Sequence, residues 1–210
     1  MNPDAPDSSP ALTALASLRR LLRPRAVRER CELCSSELAD EHPHLLELSS
    51  RRLACACEPC AILFSGQGAA KYRRVPRRAE FLPDFHLTDV AWAGLDLPIN
   101  LAFFVHSTAA ARVLALYPSP GGATEALVPP EAWQMLAEDN PVLRDFEPDV
   151  EALLVNRVGE ARECYRVGID QCYKLVGLIR THWRGLSGGT AVWEEVGRFF
   201  TGLKGGSAHA

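Results

Sequence analysis

Residues 31–60 read CELCSSELADEHPHLLELSSRRLACACEPC, and the cysteines of this stretch decide the first part of the fold. Cys31-Glu-Leu-Cys34 opens it and Cys57-Glu-Pro-Cys60 closes it, with 22 residues between the two pairs. Thiolates at i and i+3 of a tight turn reach the same ion, so each pair is a metal knuckle. Between them, His44-Leu-Leu-Glu-Leu48, the turn Ser49-Ser50 and Arg51-Arg-Leu-Ala-Cys55 predict two short strands. A hairpin of that length brings two thiol pairs around one tetrahedral ion. Four soft ligands in a closed shell select Zn2+ or a single iron and leave no coordination position for a substrate. The expected ligands are Cys31, Cys34, Cys57 and Cys60. Cys55 lies two residues from Cys57, on the same side of an extended strand, and His44 begins the preceding strand, so either is a possible substitute in the set. A hairpin this small buries little apolar surface. The ion is therefore expected to supply much of its folding free energy, on the order of 10 kcal/mol as in zinc-finger peptides.

Outward on the N-terminal side, Leu12, Leu15, Ala16, Leu18, Leu21 and Leu22 recur at helical spacing, with Arg19, Arg20 and Arg23 outside the stripe and Pro24 as its stop. A flexible tail and a short basic amphipathic helix are expected over residues 1–24, and the four-cysteine module with a basic linker over 25–78. Gly66, Gly68 and the five basic residues Lys71, Arg73, Arg74, Arg77 and Arg78 have the composition of a loop. Beyond it an α+β lobe is expected over 79–203. Leu97–Ser107, Ala111–Tyr117 and the stretch from Thr124 to Val128 predict strands, the last two joined by the turn Pro118-Ser-Pro-Gly-Gly122. Pro129-Pro130 opens a helix through Ala137. Val150–Arg157 and Glu163–Val167 predict two more strands, and Asp170 is placed to cap a helix over Gln171–Trp183. Its stripe is Cys172, Leu175, Val176, Ile179 and Trp183. A final helix is expected from Thr190 to Leu203, with a disordered tail over 204–210. Strands followed by helices, without strict alternation, give an α+β class: a small zinc-ribbon-like hairpin module, then a mainly antiparallel sheet covered by C-terminal helices.

At 210 residues and 47% hydrophobic content the chain has room for a small metal module and one core of common domain size. No run approaches the roughly 18 apolar residues of a membrane-spanning helix. Met1–Pro10 lacks the basic start and apolar run of a secretory signal. Five of the seven cysteines fall between Cys31 and Cys60, which suits metal thiolates in a reducing compartment, so a cytoplasmic location is expected. The net charge of -3 is uneven: residues 1–80 hold 13 Lys/Arg against 10 Asp/Glu, and residues 81–210 hold 10 against 16.

Other polar concentrations have structural explanations beside functional ones. Asp170 as a cap, Cys172 as a small core residue and Trp183 as a helix-end anchor account for the late polar cluster. Alternatively Arg157, Arg180, Arg184 and Ser187 form a cationic patch for a carboxylate, a phosphate or an acidic protein surface. A thiol-enzyme reading has Cys164 and Cys172 with His86, His106 and His182, without a local signature to join them. A nucleic-acid reading has the basic helix, the knuckles and Lys71–Arg78, against an acidic whole and few interleaved aromatics.

Taken together, Cys31-x-x-Cys34, Glu41-His-Pro-His-Leu-Leu-Glu47, Cys55-Ala-Cys-x-x-Cys60, Tyr117-Pro-Ser-Pro-Gly121, Pro148-Asp-Val-Glu-Ala-Leu-Leu-Val-Asn-Arg157 and Trp183-Arg-Gly-Leu-Ser-Gly-Gly189 carry a resemblance. They resemble an uncharacterised bacterial domain-of-unknown-function family whose members are typically encoded beside the structural genes of hydrogen-scavenging nickel–iron hydrogenases. The resemblance spans about Arg25 to Leu203. It implies an accessory role in hydrogenase assembly, maturation or electron delivery, with a hydrogenase subunit or maturation factor as partner. It carries over no catalytic residue. Zinc gives a metal-stabilised binding or assembly factor. Iron gives a rubredoxin-like electron carrier, and a zinc-ribbon nucleic-acid binder is the further alternative.

Overall fold

The computed structural model describes residues 29–66, 71–185 and 188–207. The helix expected around Leu12–Leu22, the linker residue Gly68 and the patch residue Ser187 lie outside them. The chain is of mixed α+β class with two antiparallel sheets. The first has three strands, β1 (His44–Glu47), β2 (Arg52–Cys55) and β3 (Tyr72–Arg74), in the order β2-β1-β3. Helix α1 (Glu58–Phe64) follows β2. The second has six strands: β4 (Ala79–Phe81), β5 (Leu101–Ser107), β6 (Arg112–Ser119), β7 (Gly122–Ala126), β8 (Glu151–Asn156) and β9 (Glu163–Gly168), in the order β4-β9-β8-β5-β6-β7.

Both faces of the large sheet are covered, and the alternation of its strands shows it. Phe103 and Phe104 are adjacent on β5, yet Phe103 belongs to the core under the C-terminal helices α4 (Ile169–His182) and α5 (Gly189–Ser207). Phe104 belongs to a second core under α2 (Asp89–Gly94) and α3 (Pro130–Asp139), where it stacks on Trp133 at 5.1 Å. A strand covered on both sides has no reason to alternate, and β8 reads Glu-Ala-Leu-Leu-Val-Asn with every residue buried. On α4 the stripe Ile169, Cys172, Leu175, Val176 and Ile179 is buried, at the i, i+3, i+4 spacing of one helix face.

Four readings change with the structure. The stretch read as a linker contains β3, which pairs with β1 in the register Leu46↔Arg73. Its residues Tyr-Arg-Arg carry no apolar alternation because β3 is an edge strand whose neighbour supplies the pairing. Gly168, rather than Asp170, is the N-cap of α4, because the helix begins two residues early at Ile169. The last helix runs to Ser207, past Leu203. The hairpin turn is tighter than the proline pattern implied: Ser119 pairs with Gly122 and only Pro120-Gly121 lie between.

The two sheets are not independent bodies joined by a tether. Leu46 of β1 and Val75, just after β3, are buried in the core under α4, with Leu48 and Leu53 packed against it. The basic residues of 71–78 stitch this contact. Arg73 donates to Pro148 O at 3.0 Å and pairs with Asp149, and Arg78 donates to Glu151 Oε1 at 3.0 Å. Lys71 pairs with Glu47 and Arg74 with Glu58, inside the small module. Four of the five cations of the stretch Lys71–Arg78, which entered the nucleic-acid reading, thus have carboxylate partners within the fold.

Gly168 is where the small module's exit strand presses on the start of α4. A Cβ there would stand 2.4 Å from Pro76 O and 2.7 Å from Asp170 Oδ1. The carbonyl belongs to backbone and cannot turn away, so Gly168→Ala is expected to cost about 1–3 kcal/mol, the range of an overpacked core. Thermal or urea unfolding measures it, and an unchanged midpoint would mean that the two segments separate freely.

Candidate metal centre

The first knuckle is a short antiparallel turn bounded by the bridge Arg30↔Glu37. Cys31 N donates to Ser36 O at 2.8 Å, Ser35 N donates back to Cys31 O at 2.7 Å, and Ser35 takes the left-handed conformation at φ 64°. The second knuckle uses a helix. Cys57 is the N-cap of α1, Pro59 fits its first turn, and Cys60 lies one turn on, on the same face. Glu32 ties the knuckles together: its backbone N–H donates to Cys55 O and its Oε1 accepts from Cys55 N, each at 2.9 Å. Sequence reading passed over Glu32, because an acidic residue inside Cys-x-x-Cys carries no signal of a contact 23 residues away.

The Sγ atoms of Cys31, Cys34, Cys57 and Cys60 all lie within 4.8 Å of one another, and Cys34 and Cys57 approach to 3.6 Å. A tetrahedron with metal–sulfur bonds of about 2.3 Å has edges of about 3.8 Å, so the cluster is sized for one tetrathiolate ion. Cys31 and Cys60 are buried and Cys34 is exposed. The thiols are in electrostatic conflict with one another. The Ser36 hydroxyl, above all, lowers Cys34, and the Cys60 N–H lowers Cys57. Burial raises Cys31, but backbone N–H groups of the knuckles outweigh it and its pKa falls. Burial and the neighbouring thiols push Cys60 up to about 12. Three of the thiols are thus lowered and the fourth raised, and a cation at the centre would favour the thiolate form of all four.

Cys55 and His44, the possible substitutes, are gathered elsewhere. One ring nitrogen each of His42 and His44 and the Cys55 Sγ lie within 4.8 Å of one another. Burial, then Glu29 and Glu32, pushes the Cys55 thiol upward. His42 was not singled out from the sequence, although His-Pro-His leading into a strand puts two imidazoles two residues apart on one side.

The cationic patch does not assemble as read. Arg157 is buried on the α2 side of the large sheet, where it donates to Leu87 O at 3.0 Å, pairs with Asp89 and lies over the Trp92 ring. Arg180 and Arg184 belong to the C-terminal end of α4, on the opposite face, and Arg184 donates to the carbonyls of Thr181 and Trp183. An Asn-Arg at a strand end says nothing of which face it serves. Cys164 and Cys172 are buried thiols, Cys164 pushed up to about 12 by burial and Cys172 raised well above the ordinary range for the same reason. Both stay protonated near neutral pH and are poor nucleophiles.

Among the described residues no helix is long and apolar enough to cross a membrane. No curated protein and no solved structure matches the chain. One family does match, from the bridge residue Arg30 beside the first knuckle to the end of α5, and so takes in both sheets and all four knuckle cysteines: over residues 30–207 the chain belongs to the family of unknown function DUF5947.

Proposed function

We propose that this protein is a metal-stabilised accessory factor that binds or assembles a nickel–iron hydrogenase, with one Zn2+ held by Cys31, Cys34, Cys57 and Cys60. The observation that carries the metal part is the closed set of four thiols within 4.8 Å. A closed shell leaves no site for substrate, so the ion shapes a surface rather than performing a reaction. The surface has a suitable feature. Helix α1, which carries Cys60, turns Ile62, Leu63 and Phe64 outward, and Leu63 is 74% exposed. Three consecutive exposed apolar side chains on a metal-anchored helix suit a protein partner better than water. The hydrogenase as that partner rests on the motif resemblance, and the cytoplasm as the place rests on the cysteine usage.

Elemental analysis with an absorption spectrum tests the metal. One zinc per chain and a colourless protein is the expected result. One iron with visible charge-transfer bands makes the protein a rubredoxin-like electron carrier, since the same four thiols suit iron. Co-purification from cells expressing the hydrogenase tests the partner: a hydrogenase subunit is expected with the wild type and is reduced several-fold with Leu63→Asp. Equal recovery of that subunit from a strain lacking this protein's tag, or none at all, removes the assembly reading.

A further inference from the structure

We propose that His42, His44 and Cys55 form a second transition-metal site, separate from the four-thiol centre and open to a cleft. The argument starts from which nitrogens are already engaged. His44 Nδ1 lies 3.0 Å from Asp170 Oδ2, and His42 Nδ1 lies 3.0 Å from Ala39 O. A carboxylate and a carbonyl only accept, so both rings carry their proton on Nδ1. The nitrogen left to hold an ion is Nε2 in each ring. A carboxylate or a backbone carbonyl behind the far nitrogen is the arrangement that orients metal-binding imidazoles and raises their basicity.

His42 supplies the independent observation. Its side chain is only 7% exposed, and its Nε2 is buried without a hydrogen-bond partner. Glu29 Oε2 stands 3.4 Å from that nitrogen but outside hydrogen-bond geometry. A lone pair facing a carboxylate in a buried site is unfavourable, and a cation between them satisfies both. His44 and His42 meet edge to face at 5.0 Å, with the Cys55 thiol completing an N2S set.

Two imidazoles and a thiolate suit a borderline divalent ion of the zinc, cobalt, nickel and copper group rather than Mg2+ or Ca2+. The fourth position belongs to Glu29 or water. Glu29 has an exposed side chain, and the site opens on a cleft of about 660 Å3 between the small sheet and α4. An ion here loads and leaves without unfolding the protein, unlike one enclosed by four cysteines. The inference does not depend on the identity of the ion in the first centre.

The test uses full-length protein as purified, cleared of loose metal and titrated with Co2+ while zinc content and absorption are followed. The expected result is one added cobalt per chain, near-ultraviolet thiolate-to-cobalt charge transfer and no loss of the metal already bound. Cys55→Ala is expected to abolish that band, and Asp170→Asn, which keeps the shape at His44, to weaken binding about tenfold. His42→Gln is expected to weaken it at least as much. A wild type that takes up no added cobalt overturns the proposal. So does a band that survives Cys55→Ala but disappears in Cys60→Ser, because that cobalt sits in the four-thiol centre.

Discussion

Cys60→Ser is expected to lower the metal content from one ion per chain to less than about a tenth and to unfold the small sheet. The reason lies in what the ion replaces. The small module's own buried cluster is Cys31, Leu38, Leu45, Ala56, Cys60 and Ala61, so two of its six members are the thiols themselves. Little apolar surface remains to hold the knuckles once the ion is gone. A hydroxyl is a hard, weak ligand beside three thiolates, and Cys60 is buried, so no outside group replaces it. Metal analysis reads the first effect and amide exchange over residues 31–66 the second. Cys164→Ser is the control: Cys164 packs in the core beneath α2 and α3, and the metal content is expected to stay unchanged. Full metal retention in Cys60→Ser refutes the four-thiol assignment.

The second large effect is expected at Glu151, which is 2% exposed and holds together three segments. Its Oε1 accepts from Arg78, and its Oε2 accepts from Arg166 Nε at 2.9 Å and from Glu147 N at 2.8 Å. Arg166 is itself mostly buried, with its guanidinium over the Phe146 ring. Glu151→Gln keeps the volume and removes the charge, leaving the Arg166 cation without its counterion. Breaking one side of a buried pair costs about 3–5 kcal/mol. At roughly 2–4 °C per kcal/mol for a domain of this size, thermal unfolding is expected to fall by about 10 °C. Adding Arg166→Gln should return part of the loss, because the stranded charge goes with it. A double variant that melts as low as the sum of the singles would show that the pair is not coupled.

The parts of this molecule legible in its sequence are those whose signal is local. Two Cys-x-x-Cys pairs around a hairpin, the strands on either side of Pro120-Gly121, and the α4 stripe from Cys172 to Ile179 each announce themselves within a dozen residues or by ligand spacing. What was not legible depends on distant company. Tyr72–Arg74 is a strand because β1 offers it a partner, and Asp89–Gly94, only six residues long, is a helix because Trp92 finds the Phe104 side of the sheet. Arg157 looked like a surface cation and is buried because Leu87 O, Asp89 and Trp92 receive it. The gathering of His42 and His44 with Cys55 follows from the register His44↔Cys55, and Asp170 joins them from 126 residues further along the chain. Asp170 was read as a cap since the local pattern could not reveal that Gly168 must occupy the cap position, pressed as it is against Pro76.

The burial of Leu46 and Val75 beneath α4 also sets an order of events during synthesis. The small sheet leaves the ribosome early, but the other members of the core those two side chains join come from the large sheet and the C-terminal helices, made later. Until then the sheet presents an uncovered apolar face to the cell, and its long-range contacts must wait for the chain to close. An ion captured by the four thiols at that stage needs only residues 31–60, all already synthesised. Metal uptake can therefore precede the main core, holding the first sheet in shape as the template on which the rest of the protein later docks.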